Sequence, residues 1–372
     1  MTAVRTVPPP TSELTATVDR LWEAVTAGSE EAAGAVVFGA LTAGAEPESV
    51  LLEVIAAVQA RIGREWAANR LTVAEEHAAT AINDRVVAAL AHHPVVRDAV
   101  RAGPRGRVTV SCVDGEWHAF PARLLAQVLA LRGWEVDYLG AQVPTPHLIA
   151  RLHRTAPVAL ALSASLAPRL ATAHSAISAA QAAGVPVLVG GAAFGPDGRY
   201  ARLLGADAWA EDARGAADRL AEGLVAPLPA HQPVDDLPHL ADQEYTLVRR
   251  SAPRLVGAVM SGLAERFPAV RSYTEAQLQH TAEDTAHIVD FLGAALYTDD
   301  PELFGGFLTW TAGVLTARAV PTASLLAALE VLGHELRDLP RAVGLLDHGR
   351  AAVASPSAVP ATVPHQYHGN PA

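Results

Sequence analysis

The period of the apolar residues changes at Val108, and that change constrains the fold more than any other feature of the chain. From there, short apolar runs at 108–113, 134–139, 158–163 and 185–190 alternate with stretches of helical spacing near 119–132, 145–154 and 168–183, and a last short run lies at Ala208-Trp209. Strands that alternate with helices form βαβ units and a parallel sheet, which binds ligands beyond the carboxyl ends of its strands. This α/β domain is expected over residues 105–225, closing near Leu224. Before it, apolar positions recur every three or four residues over 13–103, which predicts a four-helix bundle punctuated by Pro94 and Gly103-Pro104. Residues 1–12 are expected to be a disordered tail, and 226–241 a linker, because positions 226–240 hold four prolines. A wholly helical domain is expected over 242–350, followed by a second disordered tail over 351–372. The fold class is therefore multidomain, α and α/β.

Composition excludes several functions. A formal charge of −11, without clusters of Lys and Arg, argues against direct nucleic-acid binding, which requires neutralised phosphates. The single cysteine, Cys112, rules out an intramolecular disulfide and any multi-cysteine zinc site, as suits a reducing cytoplasm, where the protein is expected. The opening MTAVRTVPPPTSE has no apolar core, so no secretion signal is expected. The longest uncharged stretch, 175–196, is broken by Gly184, Pro186 and Gly190-Gly191, so no membrane span is expected either. No Ser-His-Asp order, phosphate loop or paired carboxylates mark a catalytic centre, and the chain is not expected to be an enzyme.

Directly after the first expected strand comes Asp114-Gly115-Glu116-Trp117-His118, at the sheet edge where loops build sites. A metal-bound imidazole commonly donates its other N–H to a carboxylate, and Glu116 is placed to accept it from His118. Glu116-Trp117-His118-Ala119-Phe120-Pro121 resembles the signature of the cobalamin-binding domain family, an acidic residue, a spacer, the lower-axial histidine, two spacers and a glycine, with proline in place of that glycine. Proline is tolerated in a helix first turn, where its missing N–H has no helical partner. Ser163-Ala164-Ser165-Leu166 and Gly190-Gly191 follow at the spacing by which that family makes room for the nucleotide tail of its cofactor, and 204–218 also looks like the family. The resemblance implies a Rossmann-like domain with His118 as cobalt ligand and with Glu116, Ser163, Ser165, Gly190 and Gly191 around the cofactor.

In the helical bundle, Trp66 is followed after nine residues by Glu76-His77. On one continuous helix Trp66 and His77 would stand about 16 Å apart along the axis, too far to serve one axial position. Thr72-Val73-Ala74-Glu75 is a capping box, however, so one helix is expected to end near Arg70 and another to begin at Thr72. The spacing resembles that of the light-sensing cobalamin repressors of the CarH type. The resemblance implies that Trp66 covers an adenosyl group, that Glu76 contacts it, and that His77 can take the upper cobalt position after light has cleaved the cobalt–carbon bond. Those repressors begin with a DNA-binding domain, whereas only about a dozen residues precede the first expected helix here, so light would be reported by another route.

The third block is expected to contain two helices joined near Asp299-Asp300-Pro301. On the first, Gln277, His280, Asp284 and His287 make a polar stripe continued by Phe291, which suggests either a pocket edge or a solvated face. Together with the cobalamin motifs, this block resembles the photocobilins, bacterial photoreceptors that join cobalamin to a bilin held by a globin-like helical domain. The resemblance implies biliverdin or a related bilin, held without a thioether because Cys112 lies in the other domain. Its expected contacts are His280, Asp284 and His287 to pyrrole N–H groups, Arg318 to a propionate and Trp310 to a ring. The leading expectation is thus a light sensor using adenosylcobalamin and a bilin, acting through a light-dependent homodimer and a downstream signalling protein. The alternatives are a corrinoid methyl carrier, or a cobalamin sensor whose helical block only docks partners.

Overall fold

The computed structural model describes residues 12–99, 105–225 and 237–355. The N-terminal bundle consists of α1 (Ser12–Thr26), α2 (Glu30–Thr42), a rod built from α3 (Pro47–Ser49), a π-helical segment (Val50–Ile55) and α4 (Ala56–Ala67), then α5 (Val73–Leu90) and the short α6 (Pro94–Ala99). Leu21, Val37, Leu41, Val54, Ile55, Ile62, Val86 and Leu90 recur at helical spacing and are fully or almost fully buried between these helices. Ser29 caps α2, and Thr72 with Glu75 closes a complete capping box on α5. Helix α4 ends at Ala67, earlier than expected, and Asn69 takes a left-handed conformation of φ 57° in the turn that follows.

The central domain runs β1 (Arg107–Cys112), α7 (Ala119–Leu131), β2 (Glu135–Gly140), α8 (Thr145–Thr155), β3 (Ala159–Ser163), α9 (Leu170–Ala182), β4 (Val187–Gly190), α10 (Arg199–Leu203), β5 (Ala208–Ala210) and α11 (Ala213–Glu222). All pairings are parallel and the strand order is β2-β1-β3-β4-β5. In this order the connections leave β1 in opposite directions, which opens a crevice at the carboxyl ends of β1 and β3. Alternate residues of a strand face opposite sides, and here both sides are covered. Ala159, Ala161 and Leu188 join the core shared with the N-terminal bundle, whereas Leu160, Leu162, Val187 and Val189 join a core shared with the C-terminal helices. An ionic network fastens the bundle to the sheet domain: Glu48 accepts from Arg132 and Arg214, and these reach Asp218 and Glu53 in turn.

The C-terminal block has five helices, α12 (Glu244–Arg266), α13 (Glu275–Thr298), α14 (Pro301–Ala317), α15 (Ala323–Glu335) and α16 (Pro340–Ala354). The expected break at Asp299-Asp300-Pro301 separates α13 from α14, with the Asp300 carboxylate accepting from Glu302 N. Phe291 and Phe307 stack at 4.1 Å in its core. Two expected boundaries shift. Leu237 is buried and Pro238–Asp242 forms a 3-10 turn, so the expected linker gives way to ordered chain before 242; its remainder, 226–236, lies outside the described residues. Helix α16 continues through the helix-forming Ala351-Ala352-Val353-Ala354 beyond the expected limit of 350, and stops ahead of Pro356. The expected tails over 1–11 and 356–372 lie outside the described residues.

The C-terminal helices do not hang from the rest of the chain. The hydroxyl of Tyr297 on α13 lies 2.9 Å from Nδ1 of His174, a buried histidine on α9. Tyr200 donates to Asp300 at 2.7 Å, and Arg199 pairs with the same carboxylate at 3.0 Å. Among the described residues no helix is long and apolar enough to cross a membrane.

Candidate functional site

The crevice at the ends of β1 and β3 is organised by one carboxylate. Glu116 is fully buried in the loop after β1. Its Oε1 accepts from the backbone N of His118 at 2.9 Å and lies 2.6 Å from Nδ1 of the same residue. Its Oε2 accepts from the backbone N–H groups of Ser165 and Leu166 at 2.7 and 3.0 Å, so it ties the loop after β1 to the loop after β3. Burial alone would raise its pKa, but the bonds and charge from His118 and the backbone bond from Ser165 outweigh that and lower it to about 2. An ionised carboxylate only accepts, so Nδ1 of His118 must donate to it, and in the neutral ring the lone pair then sits on Nε2. A metal ligand at this position would therefore bind through Nε2, with Glu116 fixing tautomer and orientation.

The neighbouring segments complete the crevice. Ser163 and Ser165 are both buried, and Val113 N donates to Ser163 O at 3.0 Å. Gly191 has φ 98°, and a Cβ there would meet the backbone oxygen of Ala164 at 2.3 Å. The glycine thus lets the loops after β3 and β4 touch, an approach of chain to chain that sets the depth of the crevice between them. The thiol of Cys112 is pushed up to about 12 by burial and by the charge of Glu116, so it remains protonated and inert.

On the bundle side, the capped start of α5 holds Glu76 buried, with Oε2 2.7 Å from Nδ1 of the half-exposed His77. That nitrogen also lies 2.9 Å from the carbonyl of Val73, so it carries the hydrogen and the neutral ring again keeps its lone pair on Nε2. Gln59 of α4 donates to Thr80 of α5, and Asn83 donates back to Gln59, which ties together the two helices bearing Trp66 and His77. Trp66 is buried in the last turn of α4, stacked at 6.3 Å on Trp310 of α14, with the guanidinium of Arg318 4.9 Å from its ring centre. Arg318 also donates to the carbonyls of Trp66 and Ala67, and Asn69 donates to that of Ala317.

The five residues expected to hold a bilin separate into two groups. Trp310 and Arg318 lie against Trp66, and Asp284 feels the charge of Arg318. Burial raises the pKa of Asp284, while His287, His280 and Arg318 oppose the shift; burial also lowers that of Arg318. Asp284 is nevertheless exposed on the surface of α13. His287 is half-buried further along α13, whereas His280 is 75% exposed and pairs with Glu283 of its own helix. Arg169, next to the His118 loop, carried no motif by which sequence reading could find it. His174 and Tyr297, more than a hundred residues apart, were equally hidden.

Comparison with known proteins adds two family matches. A B12 binding domain model matches residues 106–220, and a second B12 binding domain model matches residues 17–91. Among solved structures, the monomethylamine corrinoid protein of Methanosarcina barkeri is 17% identical, over 56% of this chain and 98% of that one, with a TM-score of 0.47. A cobalamin-binding protein from Desulfitobacterium hafniense DCB-2 is 18% identical over 56% and 97%, with a TM-score of 0.32. The methanol:cobalamin methyltransferase complex MtaBC of Methanosarcina barkeri is 17% identical over 59% and 85%, with a TM-score of 0.29. No curated protein matches significantly. With an oriented imidazole at the crevice and both neighbouring units matched, the helical bundle and the parallel-sheet domain together form a cobalamin-binding module.

Proposed function

We propose that the chain is a photoreceptor in which adenosylcobalamin sits between bundle and sheet, a bilin is held non-covalently by globin-like C-terminal helices, and light is reported as altered packing of the three units. The observation that carries this reading is the position of Trp66, in the bundle wall expected to cover the cofactor, with its ring against Trp310 and Arg318 of the C-terminal helices. A bound adenosylcobalamin would supply a cobalt–carbon bond that visible light breaks. His118 would hold cobalt through Nε2, Glu116 would keep that ring oriented, and Trp66 would exclude water from the bundle side. Glu76 and His77 pair at the start of α5, where the imidazole would offer a second nitrogen donor. Any displacement of Trp66 would be felt at once by Arg318, which bonds to its ring and carbonyl. On this reading the protein is a cytoplasmic sensor without catalytic activity, and its output is a light-dependent homodimer that engages a signalling partner.

The test is an absorbance spectrum and a hydrodynamic radius of protein assembled with adenosylcobalamin and biliverdin, before and after green and red light, for wild type and His118→Ala. The expected result is a light-induced change of both quantities in wild type, with loss of the protein-coordinated cobalt spectrum in His118→Ala. Unchanged spectra and size under light, together with methylation of the bound corrinoid by a methyltransferase, would replace this reading by that of a methyl carrier.

A further inference from the structure

Three half-buried arginines elsewhere in the fold have acidic partners: Arg132 has Glu48 and Asp218, Arg214 has Glu48 and Glu53, and Arg341 has Asp242, while Arg318 is held by backbone carbonyls and the Trp66 ring. Arg169 differs. It ends the 3-10 turn Ala167–Arg169 after β3, beside the loop that carries His118. A Cβ on Gly115 would lie 2.9 Å from its Nη1 and 3.1 Å from its Cζ, so that glycine, at φ 76°, admits the guanidinium against the loop backbone. Its Nε is shut from solvent and makes no hydrogen bond, and among the described residues no carboxylate pairs with the group. A cation drawn partly out of water without a counter-charge is unfavourable unless a ligand supplies one. The same turn packs against α13, so the charge lies where the crevice meets the C-terminal helices.

We infer that Arg169 is the centre of an anion-binding subsite for a ligand seated where this crevice meets the C-terminal helices. The planar fork of a guanidinium suits two anions of like chemistry, the phosphodiester in the nucleotide arm of cobalamin and a carboxylate of a bilin. The inference rests on the corrinoid reading of the crevice and names the charge that the crevice recognises.

The experiment measures equilibrium binding to the full chain, as wild type, Arg169→Gln and Arg169→Lys. The ligands are cobalamin, cobinamide (which lacks the nucleotide arm), biliverdin and its dimethyl ester. If the anion is the phosphodiester, Arg169→Gln weakens cobalamin roughly tenfold or more and leaves cobinamide unchanged, with Arg169→Lys in between. If it is the carboxylate, biliverdin weakens by a similar factor, while its ester and both corrinoids do not. Equal loss for cobalamin and cobinamide, or no loss for any ligand, overturns the inference. Should wild type bind no corrinoid at all, the cobalamin reading fails separately, and inorganic phosphate then serves as the probe. Thermal stabilisation of wild type by phosphate that Arg169→Gln lacks upholds the subsite, and equal behaviour of the two overturns it.

Discussion

Alanine at position 191 tests whether the crevice depends on contact between the loops after β3 and β4. The substitution places a methyl 2.3 Å from Ala164 O and 3.0 Å from Ala164 C, whereas ordinary contact begins at 3.4 Å, so the loops must part by about 1 Å. Two strains add. The backbone at φ 98° and ψ 162° belongs to a region open essentially to glycine alone, at about 1–3 kcal/mol for other residues. Parting the loops also stretches the bonds from Ala164 N to Gly190 O and from Ala193 N to Ala164 O, at about 0.5–1.5 kcal/mol each. The expected loss of stability is about 3–4 kcal/mol. Gly205→Ala is the control, because Gly205 has φ 68° with nothing within 4 Å of a Cβ, so only the backbone conformation should cost, at about 1 kcal/mol. Urea unfolding followed by circular dichroism measures both. Retention of cobalamin should fall for Gly191→Ala alone, because moving Ala164 shifts the Ser165 and Leu166 N–H groups that hold Glu116. Equal loss of stability in the two variants would refute the reasoning.

The carboxylate of Glu116, lowered to about 2 from an ordinary 4.5, stabilises the fold fully above pH 4.5, and that stability is lost as pH falls towards 2. Glu116→Gln should therefore cost roughly 3 kcal/mol at neutral pH in urea unfolding of the cofactor-free chain, and the gap to wild type should narrow below pH 4.5. Arg318→Ala removes a cation–π contact with Trp66 and bonds to the carbonyls of Trp66 and Ala67, so hydrogen exchange around 66–70 should quicken, with a stability loss of about 1–2 kcal/mol. Tyr297→Phe deletes the hydroxyl bonded to His174 and should cost about 1–3 kcal/mol in thermal or urea unfolding, whereas exchange in α4 and α5 stays unchanged. Thr72→Ala should cost about 0.5–2 kcal/mol through the lost cap of α5, and should increase fraying at Glu76-His77 by NMR or hydrogen exchange.

The local parts of this protein were legible in its sequence. The alternation of strand-length and helix-length patterns after Val108 located all five strands, and Thr72 with Glu75 marked the start of α5. Glu116 and His118 could be paired because two positions of separation in a loop leave few arrangements for their side chains. Each of these features is decided within a few residues, by period, by a cap or by a short turn. What tertiary structure alone decided lies between distant segments. The second oxygen of Glu116 bonds to residues about fifty positions away, and Trp66 meets Trp310 and Arg318 across some two hundred and fifty. No periodicity encodes such meetings, because they depend on which faces of the three units are apolar and on how those faces close against one another. For that reason Trp310 and Arg318, expected from sequence to face a bilin within their own block, are found against the tryptophan of the bundle.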